Sequence, residues 1–182
     1  MASASRCGAA LAERIAAVGS GSNRDACASE RPSASAPCNR VAVSAVYLLD
    51  TNVVSELRKP NPHGAVSQWI QAVPDADLHI SSVTIGEIQA GIELTRERDP
   101  PKAAELEQWL ELVSGTFNVL PMDAPAFRVW ARLMQGSSDT LYEDAMIAAT
   151  AKVHQLTVVT RNTTAFKGFG VTVLNPFTAG RK

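Results

Sequence analysis

Asp50 closes the apolar run Val46-Tyr-Leu-Leu and is followed at once by Thr51 and Asn52, while Glu87 stands early in a stretch of helical periodicity and Asp144 opens another. A fourth polar group, Thr160-Arg161-Asn162, leaves the apolar run Leu156-Thr-Val-Val. If these segments are strands and helices of one open sheet, all four groups fall at the edge where such sheets bind ligands. Carboxylates gathered at one edge repel one another, and the cluster persists where a divalent cation requires it. Each residue alone has a plainer role. Asp50 fits a helix N-cap, Glu87 the acid of a capping box with Thr84, Asp144 a partner of a helix dipole, and Thr160-Arg161-Asn162 an ordinary turn.

Other chemistries lack their residues. His63, His79 and His154 show no metal-ligand spacing, no serine sits in a glycine-flanked nucleophile elbow, and no Gly-Lys phosphate loop is present. Trp69, Trp109 and Trp130 fit core or interface anchors better than stacking platforms.

The elements that must position the acids are visible as apolar runs. Val46–Asp50, Leu78–Ser81 and Leu156–Thr160 are β-favouring, and 117–120 and 171–174 add two shorter runs. Helical spacing covers Val83–Arg98, Lys102–Val113, Asp123–Met134 and Glu143–Val153, with Asp99-Pro100-Pro101 between the first two. Strands alternating with helices predict an α/β fold with a five-stranded, mostly parallel sheet flanked by helices in a single domain.

Composition bounds that domain. All ten aromatic residues follow position 46 and all three cysteines precede it, so the core begins near Tyr47. Residues 1–45 are expected to be a disordered extension or a mis-called start, 46–177 the folded domain, and 178–182 a short tail. Scattered cysteines give no disulfide framework. No apolar stretch reaches the ~18 residues of a membrane helix, and a cytoplasmic location is expected. Residues 46–182 hold 12 Lys and Arg against 15 Asp and Glu, net −3, which excludes nucleic-acid binding through bulk positive charge. Any polyanion must be gripped locally, with Arg161 first among the candidates and Arg58, Lys59, Arg96, Arg98, Lys102 and Lys167 behind it.

Tyr47-Leu-Leu-Asp-Thr-Asn-Val-Val-Ser-Glu-Leu57, Ile80-Ser-Ser-Val-Thr-Ile-Gly-Glu-Ile-Gln-Ala-Gly91, Asp144-Ala-Met-Ile-Ala-Ala-Thr-Ala151, Val158-Val-Thr-Arg-Asn162 and Leu174-Asn-Pro-Phe177 resemble, in order and spacing, the PIN-domain ribonucleases, and most closely the FitB-like branch of the VapC toxins. The resemblance implies a PIN-like fold, cleavage of RNA, and Mg²⁺ or Mn²⁺ held by clustered carboxylates. It places Asp50, Glu87, Asp144 and Asn162 in the catalytic set, Asp50 and Asp144 on the metal, and Thr51, Asn52 and Arg161 in support. Family members commonly carry a fourth acid in the Thr-Arg-Asn turn or three residues later, where this chain has Asn162 and Ala165. Asn162 offers a carbonyl oxygen in its place, and Asp139 is an alternative. The implied partners are RNA, a cognate VapB-like antitoxin and a second copy of the chain in a homodimer. Two alternatives are a housekeeping PIN nuclease without an antitoxin and a catalytically inactive interaction module.

Overall fold

A computed structural model describes residues 45–136 and 138–178. Five short strands, β1 (Tyr47–Leu49), β2 (Leu78–Ser81), β3 (Asn118–Leu120), β4 (Thr157–Val159) and β5 (Val173–Leu174), form one sheet in the order β3-β2-β1-β4-β5. Every pairing is parallel, with Leu49 opposite Ile80 on one side and Val159 on the other. The strands read as continuous apolar runs because the three central ones are buried on both faces: Leu48, Leu49, Ile80, Val158 and Val159 are fully buried.

Successive residues of a strand face opposite ways, which splits the interior into two layers. Leu49, Ile80 and Val159 pack with Val53, Val54, Leu57, Val66, Ile70 and Val113. Leu48 and Val158 pack with Ala145, Ile147, Ala148, Phe166 and Phe169 on the other face. The first layer is closed by helices α1 (Thr51–Leu57), α2 (Gly64–Ala72), α3 (Ser82–Arg96) and α4 (Pro100–Thr116), and the second by α5 (Ala124–Leu133), α6 (Tyr142–His154) and α7 (Thr163–Lys167). A small satellite of Ile92, Ala103 and Leu110 joins α3 to α4. None of the described helices is long and apolar enough to cross a membrane.

The helix starts follow capping chemistry. Asp50 caps α1, Ser81 caps α3 by accepting from Val83 N–H at 3.2 Å, Asp99 caps α4 ahead of two prolines in its first turn, and Asp123 caps α5. Two expectations are thereby corrected. Ser81, and not Thr84, receives the first-turn N–H, so Glu87 is not a capping-box acid. The helix expected over Lys102–Val113 begins two residues earlier, since a proline's missing N–H costs nothing in a first turn. The last strand is shorter than 171–174, and three helices are additional to those read from periodicity: α1, which only the N-cap reading of Asp50 anticipated, α2 and α7. Expectations for residues 1–44 and 179–182 lie outside the described residues.

Phe166, on the five-residue α7, is fully buried and meets Phe169 edge-on at 6.4 Å. Phe166→Ala is expected to lower the unfolding free energy by about 3–5 kcal/mol, the usual range for a large core truncation, in a urea titration. A loss under about 1 kcal/mol would show that this end of the sheet is not part of the cooperative core.

Candidate active site

β1 ends at the centre of the sheet, and the ladder carries one residue further: Asp50 N–H donates to Val159 carbonyl at 3.0 Å. The Asp50 side chain, 4% exposed, is thus delivered between the ends of β2 and β4. Its Oδ1 accepts from Thr51 N–H at 2.7 Å, and its Oδ2 accepts from the Thr160 hydroxyl at 2.6 Å and from the Asn52 amide. Asn52 Nδ2 also donates to Thr160 Oγ1 at 3.0 Å, while Asn52 Oδ1 accepts from Arg161 N–H at 3.0 Å. Asn162 N–H takes the remaining acceptor position on Thr160 Oγ1 at 2.9 Å. With one donation and two acceptances, the fully buried Thr160 hydroxyl has its hydrogen-bonding capacity filled. The turns leaving β1 and β4 are locked to each other through Asn52 and Thr160, and the Asp50 carboxylate is locked with them.

Glu87 reaches the same place from the second turn of α3. Thr51 Oγ1 donates to Glu87 Oε2 at 2.5 Å and lies 3.3 Å from the hydroxyl of the buried Thr84. Asp144 comes from the first turn of α6, beside the exposed Glu143.

Titration behaviour reveals how closely these acids are set. Burial raises the Asp144 carboxyl to about 6, and the charges of Asp50 and Glu143 push it in the same direction. Burial also raises Glu87; the hydrogen bond from Thr51 opposes this, and Asp50, Glu143 and Asp144 reinforce it. Asp50 is raised by burial against the three hydrogen bonds it accepts. The structure therefore brings Asp50, Glu87 and Asp144 into one electrostatic unit, and adds Glu143, which the sequence marked only as the start of a helical stretch.

No three His, Cys, Asp or Glu side chains among the described residues form a ready coordination shell. An all-oxygen set whose members hold their protons too tightly suits a hard divalent cation that takes one or two carboxylates and keeps its waters. Asn162 sits exposed at the start of α7 with no side-chain capping bond, next to the Asp50 knot. The side chain of Asp139 lies outside the described residues.

Arg161 is also exposed, with its guanidinium 5.2 Å from the centre of the Phe177 ring, which is in turn 5.5 Å from the His63 ring. Glu56 belongs to this flank and escaped the sequence analysis. It is buried, yet its Oε1 accepts from His63 N–H at 3.0 Å and its Oε2 from Lys59 Nζ at 2.5 Å. Burial would raise its carboxyl, but those bonds and the charges of Lys59 and Arg161 hold it below the usual range. Its pairing with Lys59 is an ordinary i,i+3 contact, while the bond from His63 spans seven residues and the charge of Arg161 comes from a separate segment, so no local pattern marks it as part of this flank.

The sequence profile described as PIN domain matches residues 47–169. The toxin FitB of Neisseria gonorrhoeae is 35% identical over 139 residues, which is 72% of this chain and 99% of that protein. The crystal structure of FitAcB from the same organism matches with a TM-score of 0.62 at 34% identity, over 73% of this chain and 99% of that one. The VapC ribonuclease Y4jK of Sinorhizobium fredii is 36% identical over 72% of this chain and 98% of its own length. A toxin-antitoxin complex from Klebsiella pneumoniae matches with a TM-score of 0.56 at 28% identity, over 71% of this chain and 97% of that one.

The raised Asp144 carboxyl has a consequence for stability. An unfolded chain releases this proton near 3.8 and the folded one near 6, so between those values the fold binds the proton more tightly. Its contribution is present below the unfolded value and is lost as pH rises through the folded one. Asp144→Asn is expected to raise the melting temperature of the metal-free protein at neutral pH, with the gain vanishing near pH 4, about the ordinary carboxyl value. Calorimetry with a chelator present measures both. An unchanged or lower melting temperature at neutral pH would contradict the raised proton affinity that burial and the neighbouring charges give this carboxyl.

Proposed function

Because the chain belongs to the PIN-domain family, we propose that it is a divalent-metal-dependent endoribonuclease acting as the toxin of a toxin–antitoxin pair. The relatives named toxin and ribonuclease are matched over nearly their whole lengths, which supports carrying both words to this chain. The observation that bears most weight is the electrostatic coupling of Asp50, Glu87 and Asp144 at the carboxyl end of the central strand.

Mg²⁺, with Mn²⁺ as a substitute, would be held by Asp50 and Asp144, and Glu87 and Asn162 complete the polar shell. A divalent ion in such a site compensates charge on a phosphoryl group and acidifies water. The chain's own residues do the rest. Asn52 and Thr160 fix the carboxylate plane of Asp50, and Thr51 does the same for Glu87. Glu87 carries raised proton affinity, which suits an acceptor for a proton released from attacking water. Arg161, braced on Phe177, is the cation closest in sequence and fold to the Asp50 knot and takes a phosphate of the RNA backbone. Hydrolysis by water needs no covalent intermediate, in keeping with a site built only from acids, amides and hydroxyls.

The proposal includes a cognate VapB-like antitoxin, a homodimer and action in the cytoplasm. Leu94, Leu112 and Phe127 are 67%, 52% and 45% exposed, apolar surface of the kind that partners cover. It also includes a catalytic unit confined to 46–177, because the PIN match and the relatives' lengths account for that part of the chain.

Asp50→Asn and Asp144→Asn are each expected to reduce Mg²⁺-dependent cleavage of single-stranded RNA by at least about a hundredfold, since even residues behind the metal ligands cost that much. Gel analysis of cleavage by protein with an unchanged circular dichroism spectrum is the measurement. A variant cutting at the wild-type rate removes that residue from the site, and a wild-type chain inert with both Mg²⁺ and Mn²⁺ leaves the inactive interaction module. A chain beginning at Val46 is expected to keep the melting temperature and cleavage rate of the full chain; a drop of several degrees would assign residues 1–45 a packing role.

A further inference from the structure

Between α1, α3 and α4 a groove of about 260 Å³ opens from the acidic site, with Thr51 and Glu87 common to both. Ser55, Arg58, Gly91 and Trp109 line its further reach. Arg58 is exposed at the end of α1, with its guanidinium 5.9 Å from the centre of the Trp109 indole, within the range of a cation–π contact. Neighbouring cations are spent on carboxylates: Lys59 on Glu56, Arg96 on Glu93 and Glu107, Lys102 on Glu105. Among the described residues Arg58 has no such partner. The indole N–H of Trp109 is buried and likewise unpartnered.

We propose that this groove is a nucleotide subsite, holding the nucleotide next to the scissile phosphate of a single-stranded RNA, with Arg58 on its phosphate and the Arg58–Trp109 pair against its base. The inference rests on the nuclease function and adds the path of the strand. A polyanion held at the acids must leave along a surface continuous with them, and in a domain of net negative charge an unpaired arginine there is the complementary feature. Guanidinium donors match phosphate oxygens, and an aromatic face stacks any base.

The experiment uses the full chain carrying Asp144→Asn to prevent turnover, with a fluorescein-labelled single-stranded RNA octanucleotide, Mg²⁺ and a series of salt concentrations, read by fluorescence anisotropy. Arg58→Gln is expected to weaken binding about tenfold and to flatten the log–log salt dependence by about 0.7, one phosphate contact on a single strand. Arg58→Lys is expected to keep the slope. Gly91→Leu tests the space itself: a Cβ at Gly91 meets nothing within 4 Å, so the side chain fills the groove without straining the helix. It is expected to weaken RNA binding while leaving the melting temperature unchanged or slightly raised, since it removes a mid-helix glycine. Unchanged affinity and slope in Arg58→Gln, together with unchanged affinity in Gly91→Leu, would overturn the proposal. So would variants that lose a protein partner while binding RNA normally. If the wild-type chain cleaves RNA and the variants bind it normally, only the subsite falls; if the wild-type chain cleaves none, the nuclease function falls first.

Discussion

A carboxylate buried at the end of a central strand has to be satisfied, and the protein meets that demand at Asp50 with partners from two neighbouring turns. Thr51 N–H, the Asn52 amide and the Thr160 hydroxyl all converge on it. Leaving such a group buried without partners would cost several kcal/mol (~3–5 when one partner of a buried charge is removed), which exceeds what any single loop contact contributes. The β1–α1 and β4–α7 connections therefore cannot move independently. The same bonds that make the carboxylate tolerable in the apo protein set the direction in which its remaining lone pairs face.

Satisfaction stops short of neutralisation. The hydrogen bonds to Asp50 do not offset its burial, and Glu87 and Asp144 add charge within range of it. The fold consequently gathers uncompensated negative charge at the carboxyl edge of the sheet, which a cation would offset. Asp144 sits in the first turn of α6, where the helix dipole tempers its charge by about 0.3–1 kcal/mol, too little to cancel the repulsion. On the other flank the arrangement is reversed: Glu56 is buried but well supplied with donors, and it helps keep Arg161 near Phe177 at the rim. One side of the edge gathers unpaired negative charge, and the rim around it keeps two arginines, Arg58 and Arg161, on aromatic faces.

Much of this was legible from the chain alone. β1, β2 and β4 are strands buried on both faces, and continuous apolar runs announce such strands. Asp50, Glu87 and Asp144 were legible because an acid just beyond an apolar run, or at a helix start, has a defined place in a parallel sheet. Asn52, expected only in support of the acids, stiffens its turn by bridging to Thr160 and Arg161. α7 was not legible: five residues are too few to show a helical period, and Phe166 is its one buried residue. α2 follows Pro60-Asn61-Pro62 and begins at His63-Gly64 with no side-chain cap, so its start carries no signal. The bond from Thr51 to Glu87 joins residues 36 positions apart and depends on how α3 crosses α1, which no local pattern encodes.

Protons and a divalent cation compete for the carboxylates at this edge, whose proton affinity is raised first by burial. Titration calorimetry of Mg²⁺ into the full chain near pH 6, about the Asp144 value, repeated in buffers of different ionisation enthalpy, counts the protons displaced as the ion binds. The expected result is proton release at pH 6 that fades toward pH 8, about two units above that value, with a melting temperature that rises with Mg²⁺ concentration. Heat independent of buffer at pH 6, with no stabilisation by Mg²⁺, would contradict it.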